Sequence, residues 1–318
     1  MMNTSKNLYS IPRGTVIRGK WHNHTYIIER ELGYGATGTV YLVKGQQGSA
    51  ALKVSSQLSI TSEMNVLKAF DKVQGSSLGP SLLDTDDWQD RGQLFSFYVM
   101  EYIHGPTLST FIQSRGPSWI GVLMLQLLEN LQALHNEGWV FGDIKPDNLI
   151  VTGTPFSLRC IDVGGTTKQG RAIKEYTEFF DRGYWGAGSR KAEPSYDLFA
   201  AAMVAVSLVY PKRFARKERD PEQLVKMIRQ SKELEPYAGV LIKAIKGKYH
   251  SALDMRKEML TALSPVSPKR VPVRSDKEAV KGRAASKQRK RKQKHLETAV
   301  IILSVLVCYM VYVFIELL

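Results

Sequence analysis

The sequence predicts an α+β protein of two lobes, β-rich first and helical second, followed by one apolar C-terminal helix. Three observations carry that reading. Before Gly105 the chain falls into short β-prone runs such as Tyr26-Ile27-Ile28, Thr39-Val40-Tyr41-Leu42-Val43 and Phe97-Tyr98-Val99-Met100. After Gly105 the period changes. From Trp119 to His135 the apolar residues Ile120, Leu123, Leu127, Leu128, Leu131 and Leu134 recur at helical spacing. Last, Thr298 to Leu318 reads TAVIILSVLVCYMVYVFIELL, with Glu316 as its only charge.

The 318 residues, 43% of them hydrophobic, suit one large globular domain with appendages. Its expected extent is 13–263, with the first lobe over about 13–104 and the second over about 105–263. No internal repeat is visible, and the polar, basic start lacks the apolar run of a signal peptide. Cys160 and Cys308 are the only cysteines and lie far apart, which argues against a disulfide framework or a zinc site and points to a reducing compartment.

The formal net charge of +14 is concentrated in one segment. Between Val266 and Glu297 twelve Lys/Arg stand against three acids. Residues 264–297, mixing Pro, Ser, Lys and Arg without hydrophobic periodicity, read as a flexible basic linker. Residues 298–318 would span roughly 30 Å as a helix, the thickness of a bilayer's hydrocarbon core. Lys287, Arg289, Lys290, Arg291, Lys292 and Lys294 precede that helix, so the positive-inside rule puts the rest of the chain in the cytoplasm. The expected localisation is a single-pass cell-membrane protein.

The residues with chemical meaning come in an ordered series. Gly33-Tyr34-Gly35-Ala36-Thr37-Gly38-Thr39-Val40 fits G-x-G-x-x-G-x-V with β-prone flanks. Glycines let backbone N–H groups approach phosphates, and a strand rather than a helix following them argues against a dinucleotide fold. Ala50-Ala51-Leu52-Lys53 ends an apolar strand on a lysine suited to nucleotide phosphates, with Glu63 as its expected partner. Phe141-Gly142-Asp143-Ile144-Lys145-Pro146-Asp147-Asn148 supplies three functions. Asp143 can orient and accept the proton of a substrate hydroxyl, and Lys145 can neutralise charge on a transferred phosphoryl group. Asn148 can hold Mg²⁺, and Asp162 in Cys160-Ile161-Asp162-Val163-Gly164 would complete that metal site.

This series resembles the bacterial eukaryotic-like (Hanks-type) serine/threonine protein kinases over roughly residues 13–263, and the fold is expected to be protein-kinase-like. The resemblance implies ATP and Mg²⁺ as cofactors and protein Ser/Thr hydroxyls as substrates. It also implies that Phe97 to Leu108 connects the lobes, with Met100 as gatekeeper, Glu101 to Ile103 facing adenine, and Val40, Ala51 and Ile150 completing the nucleotide pocket. Asp197 resembles the buried helix aspartate that steadies the catalytic loop. More narrowly, the layout resembles the YabT-like kinases of spore-forming bacteria, which implies DNA binding by the basic segment, self-association for trans-autophosphorylation and a link to sporulation. A small-molecule kinase of the same fold and a pseudokinase scaffold are the competing readings.

The chain departs from the family pattern in three places. Phe141-Gly142-Asp143 replaces H-R-D, Val163 replaces the phenylalanine of D-F-G, and Gly183 to Gly188 stands where A-P-E is usual, with Lys248 at the late arginine position. Without an arginine before Asp143, weak dependence on activation-loop phosphorylation is expected. Thr166, Thr167, Thr177 and Ser189 are the available acceptors, with Arg171, Lys174 and Arg182 as substitute readers. His135 and His250 read as core or surface histidines. His22 and His24 suggest a metal pair without a third ligand nearby. The basic run has three readings: a topology signal, an anionic-lipid contact, or a DNA contact that is insensitive to sequence because no aromatics are interleaved.

Overall fold

The computed structural model describes residues 10–264 apart from 36–37, 56, 73–77, 213 and 218–220. The expected linker beyond Ser264, the basic residues Lys287 to Lys294 and the membrane helix 298–318 lie outside the described residues, as do Ala36 and Thr37 of the glycine loop. Among the described residues no helix is long and apolar enough to cross a membrane.

The first lobe is a six-stranded antiparallel sheet of β1 (Val16–Arg18), β2 (Thr25–Gly35), β3 (Gly38–Gly45), β4 (Gly48–Ser55), β5 (Leu82–Asp90) and β6 (Gln93–Glu101), in the order β1-β2-β3-β4-β6-β5. One helix, α1 (Gln57–Lys72), separates β4 from β5. Side chains alternate across a pleat, and here the alternation sorts two cores. Tyr26, Ile28, Tyr41, Val43, Leu52, Val54, Phe97 and Val99 fill one face of the sheet. Ala51, Tyr98 and Met100 point to the other, where Ile60, Val66, Leu67 and Phe70 of α1 cover them. Lys53 shares the parity of Ala51, so the pleat alone turns it toward α1.

The ends of the sheet are tied together. Lys20 N–H donates to the Asp87 carbonyl at 2.8 Å, and the N–H groups of Trp21 and His22 donate to the Asp86 carboxylate at 2.9 and 2.8 Å. Gly19 permits the approach, because a Cβ there would lie 2.2 Å from Asp86 Oδ2.

The second lobe contains α2 (Leu108–Arg115), α3 (Trp119–Asn136), the short strands β7 (Trp139–Val140), β8 (Leu149–Thr152), β9 (Ser157–Cys160) and β10 (Thr167–Lys168), and helices α4 (Pro194–Val209), α5 (Glu222–Gln230), α6 (Ala238–Ile245) and α7 (Ala252–Leu263). The apolar stripe expected on α3 is buried. In α4 the run from Tyr196 to Val206 is buried all round, as expected of a helix at the centre of a core. Pro194 starts that helix at a position where a missing N–H costs nothing. The β-rich and helical halves thus follow the expected order.

Candidate active site

Asp197, in the first turn of α4, is the anchor of the loop that follows β7. It is fully buried and accepts hydrogen bonds from the N–H of Phe141 at 2.8 Å, the N–H of Gly142 at 2.9 Å and Nε2 of His135 at 2.8 Å. Charge-assisted bonds of this kind contribute about 1.5–3 kcal/mol each. His135 is therefore a buried partner of the anchor rather than an incidental core residue. Gly142 lies at φ +85°, and a Cβ there would stand 2.5 Å from the Gly165 carbonyl oxygen. Any side chain at this position would therefore force the Gly165 carbonyl to move. Phe141, in the same triplet as Gly142, and Val163, the second departure, are both buried in the core.

The anchored loop presents Asp143. Its Oδ2 lies 2.5 Å from Lys145 Nζ, and its Oδ1 accepts from both the N–H and the hydroxyl of Thr177 at 2.9 Å. Lys145 Nζ also reaches Thr177 Oγ1 at 3.3 Å, and Asn148 Nδ2 donates to the Asp143 carbonyl at 3.0 Å. The hydroxyl of Thr177 is thus built into the loop and is not an available acceptor. Thr166 and Thr167 are buried as well, which leaves Ser189 as the exposed member of the expected set. Arg182 is equally committed: it donates to Glu193 at 2.6 Å and Ser195 at 2.7 Å, so it is no phosphate reader.

Opposite the loop, Lys53 Nζ bonds both oxygens of Glu63, at 2.8 and 2.7 Å, and the pair is almost entirely buried. The Tyr98 hydroxyl donates to Glu63 Oε2 at 2.6 Å. Between the lobes opens a cleft of roughly 360 Å³. Its walls contain every expected pocket residue except Glu63: Gly33, Gly35, Gly38, Val40, Ala51, Lys53, Met100, Glu101, Ile103 and Ile150. Asn148 and Asp162 line its floor; Asp143 and Lys145 are not part of the lining but connect to it through the Asn148–Asp143 and Lys145–Asp143 hydrogen bonds. The glycines differ in role. Gly33 and Gly35 face open space, whereas Gly38 is required by packing, since a Cβ would meet the Val54 carbonyl at 2.2 Å.

Sequence reasoning missed several residues here. Glu101 turns its side chain to Arg159, with Nη2 to Oε2 at 2.8 Å, so the carboxylate ties β6 to β9 and is held below its ordinary range by that guanidinium. Glu175 enters the cleft wall half-buried. Burial and then Asp162 raise its carboxyl above the usual range, against the opposing pull of Lys53. In place of A-P-E, Trp185 is fully buried and donates Nε1–H to the Phe179 carbonyl at 2.9 Å. Fully buried Asp181 accepts from Tyr196 Oη at 2.9 Å and from Arg190 Nε at 2.8 Å. Two ion pairs, Asp181–Arg190 and Arg182–Glu193, therefore hold this segment. Lys248 is exposed. Cys160 is buried, with its thiol pushed up to about 12 by that burial, which makes it inert.

A two-lobed fold with these residues around an interlobe cleft defines a phosphotransferase of the protein kinase class. The family model described as "Protein kinase domain" matches residues 26–271, and the chain belongs to that family. It is a serine/threonine protein kinase. The chain is 48% identical over 322 residues to the serine/threonine-protein kinase YabT of Bacillus subtilis, covering 96% of this chain and 95% of that protein. Similarity to the serine/threonine-protein kinase PkaA of Streptomyces coelicolor is 30% over 148 residues, 41% of this chain and 27% of the other. With ppk31 of Schizosaccharomyces pombe it is 29% over 147 residues, 44% of this chain and 14% of the other.

Proposed function

We propose that the chain transfers the γ-phosphoryl group of ATP to serine and threonine hydroxyls of proteins. Its catalytic domain would span residues 13–263 and face the cytoplasm at the cell membrane. The supporting observation is the arrangement of Asp143 Oδ1 and Oδ2 between Thr177 and Lys145, across the cleft from the Lys53–Glu63 pair. In this reading Gly33 and Gly35 leave the backbone open to phosphates. Val40, Ala51, Met100, Ile103, Ile150 and the backbone of Glu101 enclose the purine. Lys53, aimed by Glu63, contacts the α- and β-phosphates. Asp143 accepts the proton of the acceptor hydroxyl, and Lys145 balances charge at the transferred group.

The donor set at the floor fits Mg²⁺. Asn148 and Asp162 offer oxygen ligands on one wall, and Glu175, whose carboxyl is raised first by burial and then by Asp162, stands beside them. When bound there, the cation would neutralise charge on the β- and γ-phosphates.

The finer placement rests on sequence. The apolar segment 298–318 would anchor the protein, and Lys287, Arg289, Lys290, Arg291, Lys292 and Lys294 would keep the domain cytoplasmic. The same basic run would draw DNA of any sequence, with anionic lipid as the competing polyanion. DNA binding several chains would favour self-association and trans-autophosphorylation through effective concentration.

The test is incubation of the detergent-solubilised full chain with γ-labelled ATP, Mg²⁺ and a protein acceptor, followed by phosphoamino-acid analysis. Label on phosphoserine and phosphothreonine supports the proposal. Label on small metabolites alone, or none, overturns it.

A further inference from the structure

His22 and His24 were expected to lack a third ligand, and the fold supplies one. The segment that closes the sheet carries both histidines against β5. Nδ1 of His22 lies 2.7 Å from Asp84 Oδ1, and Nδ1 of His24 lies 2.9 Å from Asp84 Oδ2. The two imidazole centroids are 5.9 Å apart, and one ligand atom from each of the three residues falls within 4.8 Å of the others. Asn23, between the histidines, adopts a left-handed backbone at φ +60°, a conformation that asparagine tolerates better than most residues. That single twist lets two residues separated by one position offer Nδ1 to the same carboxylate.

We propose that His22, His24 and Asp84 bind a divalent transition-metal ion of the zinc class, which clamps the β1–β2 turn to β5. Ligand atoms around a tetrahedral zinc lie about 2.0–2.2 Å from the ion and so about 3.4 Å from one another. The observed contacts of 2.7 and 2.9 Å need to open by about 0.5–0.7 Å to admit it. Two imidazoles and one carboxylate form a nitrogen-rich set that favours Zn²⁺, Ni²⁺ or Cu²⁺ over Mg²⁺ or Ca²⁺. The carboxylate is already oriented from behind: the Tyr26 hydroxyl donates to Oδ2 at 2.7 Å and the Thr85 N–H to Oδ1 at 2.8 Å. Such outer contacts commonly fix the ligands of built metal sites. Asp86, 3.9 Å from His22 Nδ1, is held by the N–H groups of Trp21 and His22 and adds negative charge nearby. Asp84 is shielded while both imidazoles are half-exposed, so water can complete the coordination. None of the three ligands lines the interlobe cleft, so this site is separate from the one containing Asn148 and Asp162.

The test uses chelator-stripped full chain in detergent, titrated with Zn²⁺ by calorimetry and with Co²⁺ as the spectroscopic probe. The expected result is one equivalent of Zn²⁺, a visible Co²⁺ d–d band that Zn²⁺ displaces, and a rise in Tm on Zn²⁺ addition. His22→Gln/His24→Gln retains hydrogen-bonding groups and should weaken Zn²⁺ binding at least 100-fold and abolish both the band and the Tm rise. Wild-type protein that binds no Zn²⁺ overturns the proposal and leaves the three residues as a hydrogen-bonded strap. Equal binding by the double variant also overturns it, because the metal would then lie elsewhere.

Discussion

Thr177 bonds Asp143 Oδ1 twice, through its hydroxyl and through its own backbone N–H, each at 2.9 Å. The two residues are 34 positions apart. The loop that brings them together thus makes the aim of the proposed catalytic carboxylate depend on the segment that carries Thr177. Thr177→Ala should lower kcat by about 10–100-fold, because a misaimed base costs rate steeply. Thr177→Ser, which keeps the hydroxyl, should stay within about threefold of wild type. Steady-state kinetics on both variants, with Tm measured alongside, checks this.

The same contact changes what alanine at Thr166, Thr167, Thr177 and Ser189 should do. The sequence alone suggests that the fourfold variant retains most activity. With Thr177 tied to Asp143 the combination should lose it, while Ser189→Ala alone, at the exposed site, should retain it. Phosphate-incorporation rates for the two variants separate the outcomes.

Gly142 is required twice over, by its φ of +85° and by the Gly165 carbonyl in front of it. Left-handed backbone costs a non-glycine residue about 1–2 kcal/mol before the clash is counted. Gly142→Ala should therefore lower Tm by about 4 °C or more and reduce activity. An arginine there should fail to restore a family-like loop. A variant of unchanged Tm and rate would contradict the steric reading.

Lys53→Met should cost at least about 100-fold in phosphoryl transfer. It should also destabilise the fold, since removing one member of a buried ion pair costs about 3–5 kcal/mol. Glu63→Gln keeps a hydrogen-bonding partner for Lys53 and Tyr98 and should fall between Lys53→Met and wild type in both rate and Tm.

Glu175 sets a pH dependence. Its folded-state carboxyl titrates above the ordinary 4.5, first through burial and then through Asp162. The folded protein therefore binds the proton more tightly than the unfolded chain. The stability this supplies is fully present below pH 4.5 and is lost as pH rises through the folded value. Glu175→Gln removes the penalty, so it should melt about 1–3 °C above wild type at pH 7–8, with the gap closing toward pH 4.5. Differential scanning across that range reads it directly, and a gap that widens as pH falls contradicts the assignment.

What was legible in the sequence, and what was not, follows from the range of each signal. Short β-prone runs predicted β2, β3 and β6, and the helically spaced apolar stripe predicted α3, because both patterns are local. The glycine loop, Lys53, Glu63, Asp143, Asn148 and Asp162 were readable as an ordered series, and the fold brings them around one cleft. Contacts made by chain return were not readable. Thr177 on Asp143, Arg159 on Glu101 and Asp84 beneath His22 and His24 join residues from loops and strands far apart in sequence. Asp181–Arg190 and Arg182–Glu193 are closer in sequence, but no motif flags them, because they stand where a different ion pair is usual.

The basic segment carries its own test. Glutamine at Lys287, Arg289, Lys290, Arg291, Lys292 and Lys294 should abolish DNA-stimulated autophosphorylation and spare basal activity. Stimulation of the wild type should rise and then fall with DNA concentration, and it should vanish at high salt. Undiminished stimulation of the glutamine variant reduces the segment to a topology signal.

The most direct measurement compares wild type with Asp143→Asn in γ-phosphate transfer to protein serine and threonine, using full-length protein of matched Tm. With Asp143 as the residue that receives the hydroxyl proton, the asparagine variant should lose at least about 100-fold in rate while still binding nucleotide in the cleft. Transfer at the wild-type rate by that variant would contradict the assignment of the active site.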